Sequence, residues 1–162
     1  MPTEFAIKYE ANTKISDEDM TDLFCAIGQG SGYWAMDVEI GNIPKDSDGQ
    51  YIEDPAEFED EWKWEAEGCA AWACSFKPDD PITLKEHNEG DSPTEITDKK
   101  ISDLLIAIEK ICSDKTSIHW DYASRIAEAF KPMGKEIDMG LIDAELADLI
   151  FQITVFGEVV YA

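Results

Sequence analysis

Thr97-Asp98-Lys99-Lys100-Ile101-Ser102-Asp103-Leu104-Leu105-Ile106-Ala107-Ile108-Glu109-Lys110-Ile111-Cys112 is the stretch on which the fold turns. Ile101, Leu104, Leu105, Ile108 and Ile111 recur at the spacing of one helix face, and Thr97 stands where an N-cap belongs. The spacing predicts a helix over 98–112. Upstream the period changes. Trp62, Trp64 and Ala66 alternate with Lys63, Glu65 and Glu67, the pattern of a half-buried strand. Both periods in one chain, without regular alternation of strand and helix, predict an α+β fold: an antiparallel sheet of about four to five strands covered by helices on one face.

The rest of the chain fills this frame. Residues 4–10 and 33–40 read as strands, 69–76 as a more buried strand, and 82–85 as a short edge strand. Residues 44–61 and 86–96 read as acidic loops, broken by Pro44, Gly49 and Pro55 in the first case. Ser16 is an N-cap with Asp19 three residues on, and Ile15 and Met20 stand at the positions of a hydrophobic staple. Met20, Leu23, Phe24 and Ile27 form the apolar face of that helix. Gly28-Gln29-Gly30-Ser31-Gly32 ends it. Residues 118–130 read as a helix with Ile118, Tyr122, Ile126 and Phe130 on one face. Asp143 caps a last helix running to about Phe156, and Gly157 is its left-handed C-cap, freeing Glu158–Tyr161 to add a strand. Neither a repeat nor a linker interrupts the 162 residues, so a single domain over 1–162 is expected.

Charge is the dominant compositional fact. Asp plus Glu number 36 against 13 Lys plus Arg, a net charge of −23. A soluble domain of ordinary design carries a net charge of magnitude roughly 2–8. The excess strains the fold by self-repulsion. The hydrophobic fraction of 44% separates the chain from disordered acidic tails, because it is enough to close a core. The acids concentrate. Asp46, Asp48, Glu53, Asp54, Glu57, Glu59, Asp60, Glu61, Glu65 and Glu67 fall within 22 residues that hold Lys63 as their single base. Alternate carboxylates on extended chain stand about 6.6 Å apart, in the range of phosphate spacing on a nucleic-acid strand. These ten residues are the candidate partner-binding set, and the expected partner is a basic surface built for nucleic acid rather than nucleic acid itself.

Other chemistries find less support. Asp46-Ser47-Asp48-Gly49 resembles the middle of a calcium loop, but with Gly49 as its sixth position the first and twelfth are Pro44 and Pro55, which cannot ligate through side chains. Gly28–Gly32 follows a helix and precedes a strand, the reverse of a phosphate loop. Cys25, Cys69, Cys74 and Cys112 have no second pair at zinc spacing and read as reduced thiols. His119-Trp120-Asp121 is the one near His–carboxylate pair, and capping by Asp121 with packing by Trp120 accounts for it; His87 reads as exposed. No catalytic residue, metal or cofactor is expected. Residues 1–8 have neither the basic nor the apolar region of a signal peptide, and no apolar run reaches the ~20 residues of a membrane span, so a cytoplasmic protein is expected.

Two segments carry a resemblance. Gly32-Tyr33-Trp34 with Asp37-Val38-Glu39 resembles a Gly-x-x-Tyr-Trp strand opening in small uncharacterised proteins of phages and prophages. Ala147-Asp148-Leu149-Ile150-Phe151-Gln152, continuing to Phe156-Gly157-Glu158-Val159-Val160-Tyr161, resembles their Ala-Asp-x-Ile-x-Gln-x3-Phe-Gly-Glu-x-Val-Tyr-Gly ending. The helix at 98–112 matches their central Leu-rich helix. The chain departs from the pattern at Ala35, where those proteins have Cys, and at Ala162, where they have Gly. The resemblance implies a phage or mobile-element context and transfers no catalytic residue. Small acidic proteins in that context block nucleic-acid-binding defence machinery. The expectation is therefore a non-enzymatic inhibitor of a host defence complex, anti-CRISPR or antirestriction in type, acting by polyanion mimicry. The alternative is an accessory binding protein whose acidity only solubilises it.

Overall fold

The computed structural model describes residues 15–41, 47–48, 62–66, 69–72, 76–87, 92–130 and 137–161, with 62–66 and 69–72 described by backbone alone. The expected strand at 4–10 lies outside these residues.

Helix α1 (Asp17–Gly30) begins as the sequence dictates: the Ser16 side chain accepts from Asp19 N–H at 3.1 Å, with Asp17, Glu18 and Asp19 in the first turn. It buries Met20, Leu23, Phe24 and Ile27. It runs to Gly30 because that residue lies against the start of the last helix. A Cβ there would stand 2.0 Å from the Ala144 carbonyl oxygen, so only glycine permits the approach. Strand β1 (Ala35–Ile40) follows. Its pairing slips between Met36 and Glu39, where Asp37 adopts φ 51° and makes a surface ion pair with Lys85 at 3.4 Å.

Strands β2 (Trp62–Ala66), β3 (Cys69–Trp72), β4 (Pro81–Glu86) and β5 (Thr94–Lys100) lie in the order β2-β3-β1-β4-β5. The β1-β4-β5 part is antiparallel. The β1–β3 pair is parallel, with Val38 opposite Cys69, which departs from the all-antiparallel expectation. Residues 82–85 are not an edge. β4 lies between β1 and β5, with Ile82 and Leu84 buried, and β5 takes the edge with a mostly exposed pattern.

Thr97 is not a helix cap either. It belongs to β5, which advances three residues from Ile96 to Lys99 while β4 goes back two from Leu84 to Ile82. Helix α2 (Ile101–Cys112) therefore starts three residues late. Its first amides are met from elsewhere: Ile101 N–H donates to Asp80 O at 3.0 Å, Ser102 N–H to Pro78 O at 2.9 Å, and Asp103 Oδ2 accepts from Lys100 N–H at 2.9 Å.

Helix α3 (Trp120–Phe130) and a 3-10 turn (Met139–Leu141) lead to α4 (Ala144–Phe156). Asp143 caps α4, accepting from Leu146 N–H at 2.9 Å, and Gly157 closes it at φ 77°. Residues 146–148 and 150–155 of α4 are all buried. Such a helix is the centre of a core rather than its cover. It packs with α1, α2, Trp34 and the apolar face of β1 and β4 in one continuous core. The whole is an α+β fold, with four α-helices among the described residues. None of them is long and apolar enough to cross a membrane.

Candidate functional site

Trp34 leads into β1, and its indole lies in the core against Phe151 and Phe156 of α4. That packing carries its ring N–H into apolar surroundings, where it needs an acceptor. Asp148, one turn into α4, supplies it: Asp148 Oδ1 accepts from Trp34 Nε1 at 2.7 Å and from the Ser31 hydroxyl at 2.8 Å. Oδ2 accepts from the Tyr33 hydroxyl at 2.7 Å and from Gln152 Nε2 at 3.0 Å. Asp148 is 7% exposed, and no ion pair joins it to a described cation. Four donors on two oxygens use every lone-pair site of a carboxylate, which is how a buried negative charge persists without a counter-ion.

Gln152 extends the network. Its Oε1 accepts the N–H groups of Val160 at 2.9 Å and Tyr161 at 2.8 Å, and its Nε2 also donates to Tyr161 O at 3.1 Å. Two backbone donors on one side fix which way the amide faces. The tail beyond Gly157 is thus held by one side chain. The expected strand at 158–161 does not form: the Val160 and Tyr161 amides bond Gln152 instead of a sheet edge. Tyr161 stacks on Trp34 with centroids 5.4 Å apart and planes 8° from parallel, and its hydroxyl donates to Glu86 at 2.6 Å.

The two stretches that carry the resemblance, 32–39 and 147–161, meet in this cluster. The arrangement clamps the tail and the residues that lead into β1 onto α4. Burial first, and then the hydrogen bond to Asp148, push the Tyr33 pKa well above the ordinary tyrosine value. Ser31 and Glu86 had no signal in the sequence beyond proximity to the glycine-rich break and to a strand end.

His119 and its neighbours differ from expectation. His119 Nδ1 accepts from Asp121 N–H at 3.2 Å, so the histidine caps α3 and Asp121 does not. Trp120 does not pack in the core: it is 72% exposed, with the His119 ring 5.5 Å away. His87 is exposed. Cys25 and Cys112 are half-buried thiols; burial, and then Asp22, raise the Cys25 pKa. Among the described residues no cluster of His, Cys, Asp or Glu is arranged to hold a metal ion.

Of the ten candidate partner-binding acids, Asp48 is exposed on a turn, and Glu65 is placed by its backbone on β2, opposite Ala70. Asp46, Glu53, Asp54, Glu57, Glu59, Asp60, Glu61 and Glu67 lie outside the described residues. Elsewhere Glu18, Asp79, Glu95, Asp98, Asp114, Glu128 and Glu158 are exposed. Two ion pairs join described residues, Lys85–Asp37 and Arg125–Asp143 at 3.2 Å, and they leave those seven unneutralised. No family model, no curated protein and no solved structure matches this chain.

Proposed function

We propose that this protein is a non-enzymatic inhibitor that occupies the basic nucleic-acid channel of a host defence complex, a CRISPR effector or a restriction enzyme, by presenting carboxylates in place of phosphates. The observation that carries the reading is the net charge of −23 on a chain with a closed apolar core, with seven exposed acids among the described residues outside both ion pairs. Self-repulsion on that scale opposes folding, and a basic partner offsets it. The reading takes 1–162 as one α+β domain with a sheet of four to five strands and acidic loops. It places the protein in the host cytoplasm and assigns contact to the block from Asp46 to Glu67. The phage setting rests on the resemblance of 32–39 and 147–161.

Such a protein must not bind the polymer it imitates. Mixed with duplex DNA or with RNA at physiological salt it gives no mobility shift, while it releases labelled duplex from its partner. A salt-sensitive complex with bare duplex contradicts the proposal.

A second reading has its own observation. Trp120 stands 72% exposed, and tryptophan is the residue most enriched at binding hot spots. In that reading an accessory protein binds through the His119–Trp120 surface and its acidity only keeps it soluble. Trp120→Ala then abolishes partner binding, whereas neutralising the acidic block does not.

A further inference from the structure

Only 13 of the 162 residues are basic, yet three of them line one cleft. Lys99 comes from the end of β5, Lys110 from the last turn of α2 and Lys115 from the loop that follows. The cleft lies between α2 and the last turn of α4 and has a volume of about 420 Å³. That is the size of a small-molecule site. None of the three lysines takes part in an ion pair. The acid in the lining, Asp103, already spends Oδ2 on the Lys100 amide. The lining also offers an exposed apolar side chain, Ile106, 47% exposed. Thr116 stands beside Lys115 on the wall.

A lysine near a helix C-terminus answers the helix dipole, and that accounts for Lys110 singly. It does not account for Lys99, brought to the same cleft from β5, or for three lysines there without an acidic partner in a chain this acidic. We propose that the cleft binds a nucleotide-like organic phosphate, its phosphates among Lys99, Lys110 and Lys115 and its flat apolar part against Ile106. Lysines serve phosphate as mobile point charges. The remote carboxylates do not forbid this. At physiological ionic strength charges more than about 8 Å away are largely screened, which leaves the local positive cluster to act. The cleft is too small for a duplex, so the site is compatible with indifference to DNA.

Calorimetric titration of the full chain with ATP, tripolyphosphate and adenosine separates the parts. ATP is expected to bind, tripolyphosphate to bind more weakly, and adenosine to give no measurable heat. Replacing Lys99, Lys110 and Lys115 together by Gln weakens ATP at least about tenfold, while Lys85→Gln, outside the lining and paired with Asp37, leaves it unchanged. Ile106→Ser weakens ATP and spares tripolyphosphate. It keeps the test open should the triple variant lose its fold, which a circular-dichroism melt reports. Absence of ATP binding at millimolar concentration, wild-type affinity in a folded triple variant, or equal loss of ATP and tripolyphosphate on Ile106→Ser overturns the proposal. So does uptake of a short acidic peptide with no uptake of ATP.

Discussion

Replacing Asp148 by Asn keeps shape and volume and removes the charge, so it isolates the hydrogen-bond logic of the buried cluster. Four donors converge on the carboxylate. Asparagine offers one acceptor oxygen and one donor group. Trp34 Nε1 can only donate, so the oxygen must face Trp34 and Ser31, and the new NH2 faces Tyr33 and Gln152. The Tyr33 hydroxyl can turn to accept. The Gln152 amide cannot turn, because its oxygen holds the Val160 and Tyr161 amides. The new N–H therefore faces the Gln152 N–H, which keeps only its longer contact with the Tyr33 hydroxyl at 3.3 Å. A hydrogen bond to a charged group is worth about 1.5–3 kcal/mol. One such bond is lost and three become neutral and weaker; the cheaper desolvation of an amide offsets part of this. The net is a loss of about 3 kcal/mol. At roughly 2–4 °C per kcal/mol for a domain of this size, the melting temperature falls by about 6–12 °C. Urea unfolding followed by tryptophan fluorescence, with a parallel melt, measures it. A loss under about 0.5 kcal/mol, the scale of a neutral surface change, refutes the claim that this carboxylate anchors α4 to β1 and the tail.

Two further outcomes follow from the same geometry. Ile108→Asp and Ile150→Asp each place an unpaired carboxylate in the core, where Ile108 is 3% exposed and Ile150 0%, and each abolishes the cooperative melt; near-wild-type melting of both would overturn the assignment of α2 and α4. Tyr33 has a folded pKa raised above its unfolded value, so its contribution to stability is complete below about pH 10 and is lost as pH climbs through the folded value. Titration by tyrosinate absorbance is expected to show late ionisation of Tyr33 and of Tyr122, whose pKa the hydrogen bond with Glu145 also raises; Tyr33→Phe removes the Tyr33 part, and an unchanged curve in that variant contradicts the assignment.

The elements legible in the sequence were those whose signals are local. Ser16, Asp143 and Gly157 mark helix ends through contacts within a few residues, and each stands where its chemistry predicts. Thr97 carries an equally good local signal and is a strand residue, because pairing with β4 outweighs it; that pairing is set by chain more than ten residues away. The interior place of β4 was hidden for the same reason, since strand order is not written within a strand. Glycine at 157 does free the tail, but what receives it is a glutamine amide, and nothing in the sequence distinguishes an amide acceptor from a sheet edge. Trp120 could have been read better: it lies well off the face made by Ile118, Tyr122, Ile126 and Phe130 at about 100° per residue. Of the candidate site, the acidic block was plain from composition. Asp148 and Gln152, one helical turn apart, were legible as groups that hydrogen-bond backbone near the last residues, as Gln152 does, whereas the Ser31, Tyr33 and Trp34 donors to Asp148 and the three-lysine cleft were not, because their members come from separate elements.

The central claim is that the acidic block docks on a surface built for nucleic acid. Immobilised wild-type protein is exposed to nuclease-treated host lysate and washed with duplex DNA, beside a variant in which Asp54, Glu57, Asp60 and Glu61 are replaced by Asn or Gln. The account predicts that the wild type retains a nucleic-acid-binding complex which the duplex elutes, and that the variant retains much less of it. Kinetics on the recovered complex then show slower association rather than faster dissociation, because long-range steering sets the on-rate. Equal retention by both proteins, with no elution by duplex and no dependence on salt, contradicts it and leaves these carboxylates as solubilising surface.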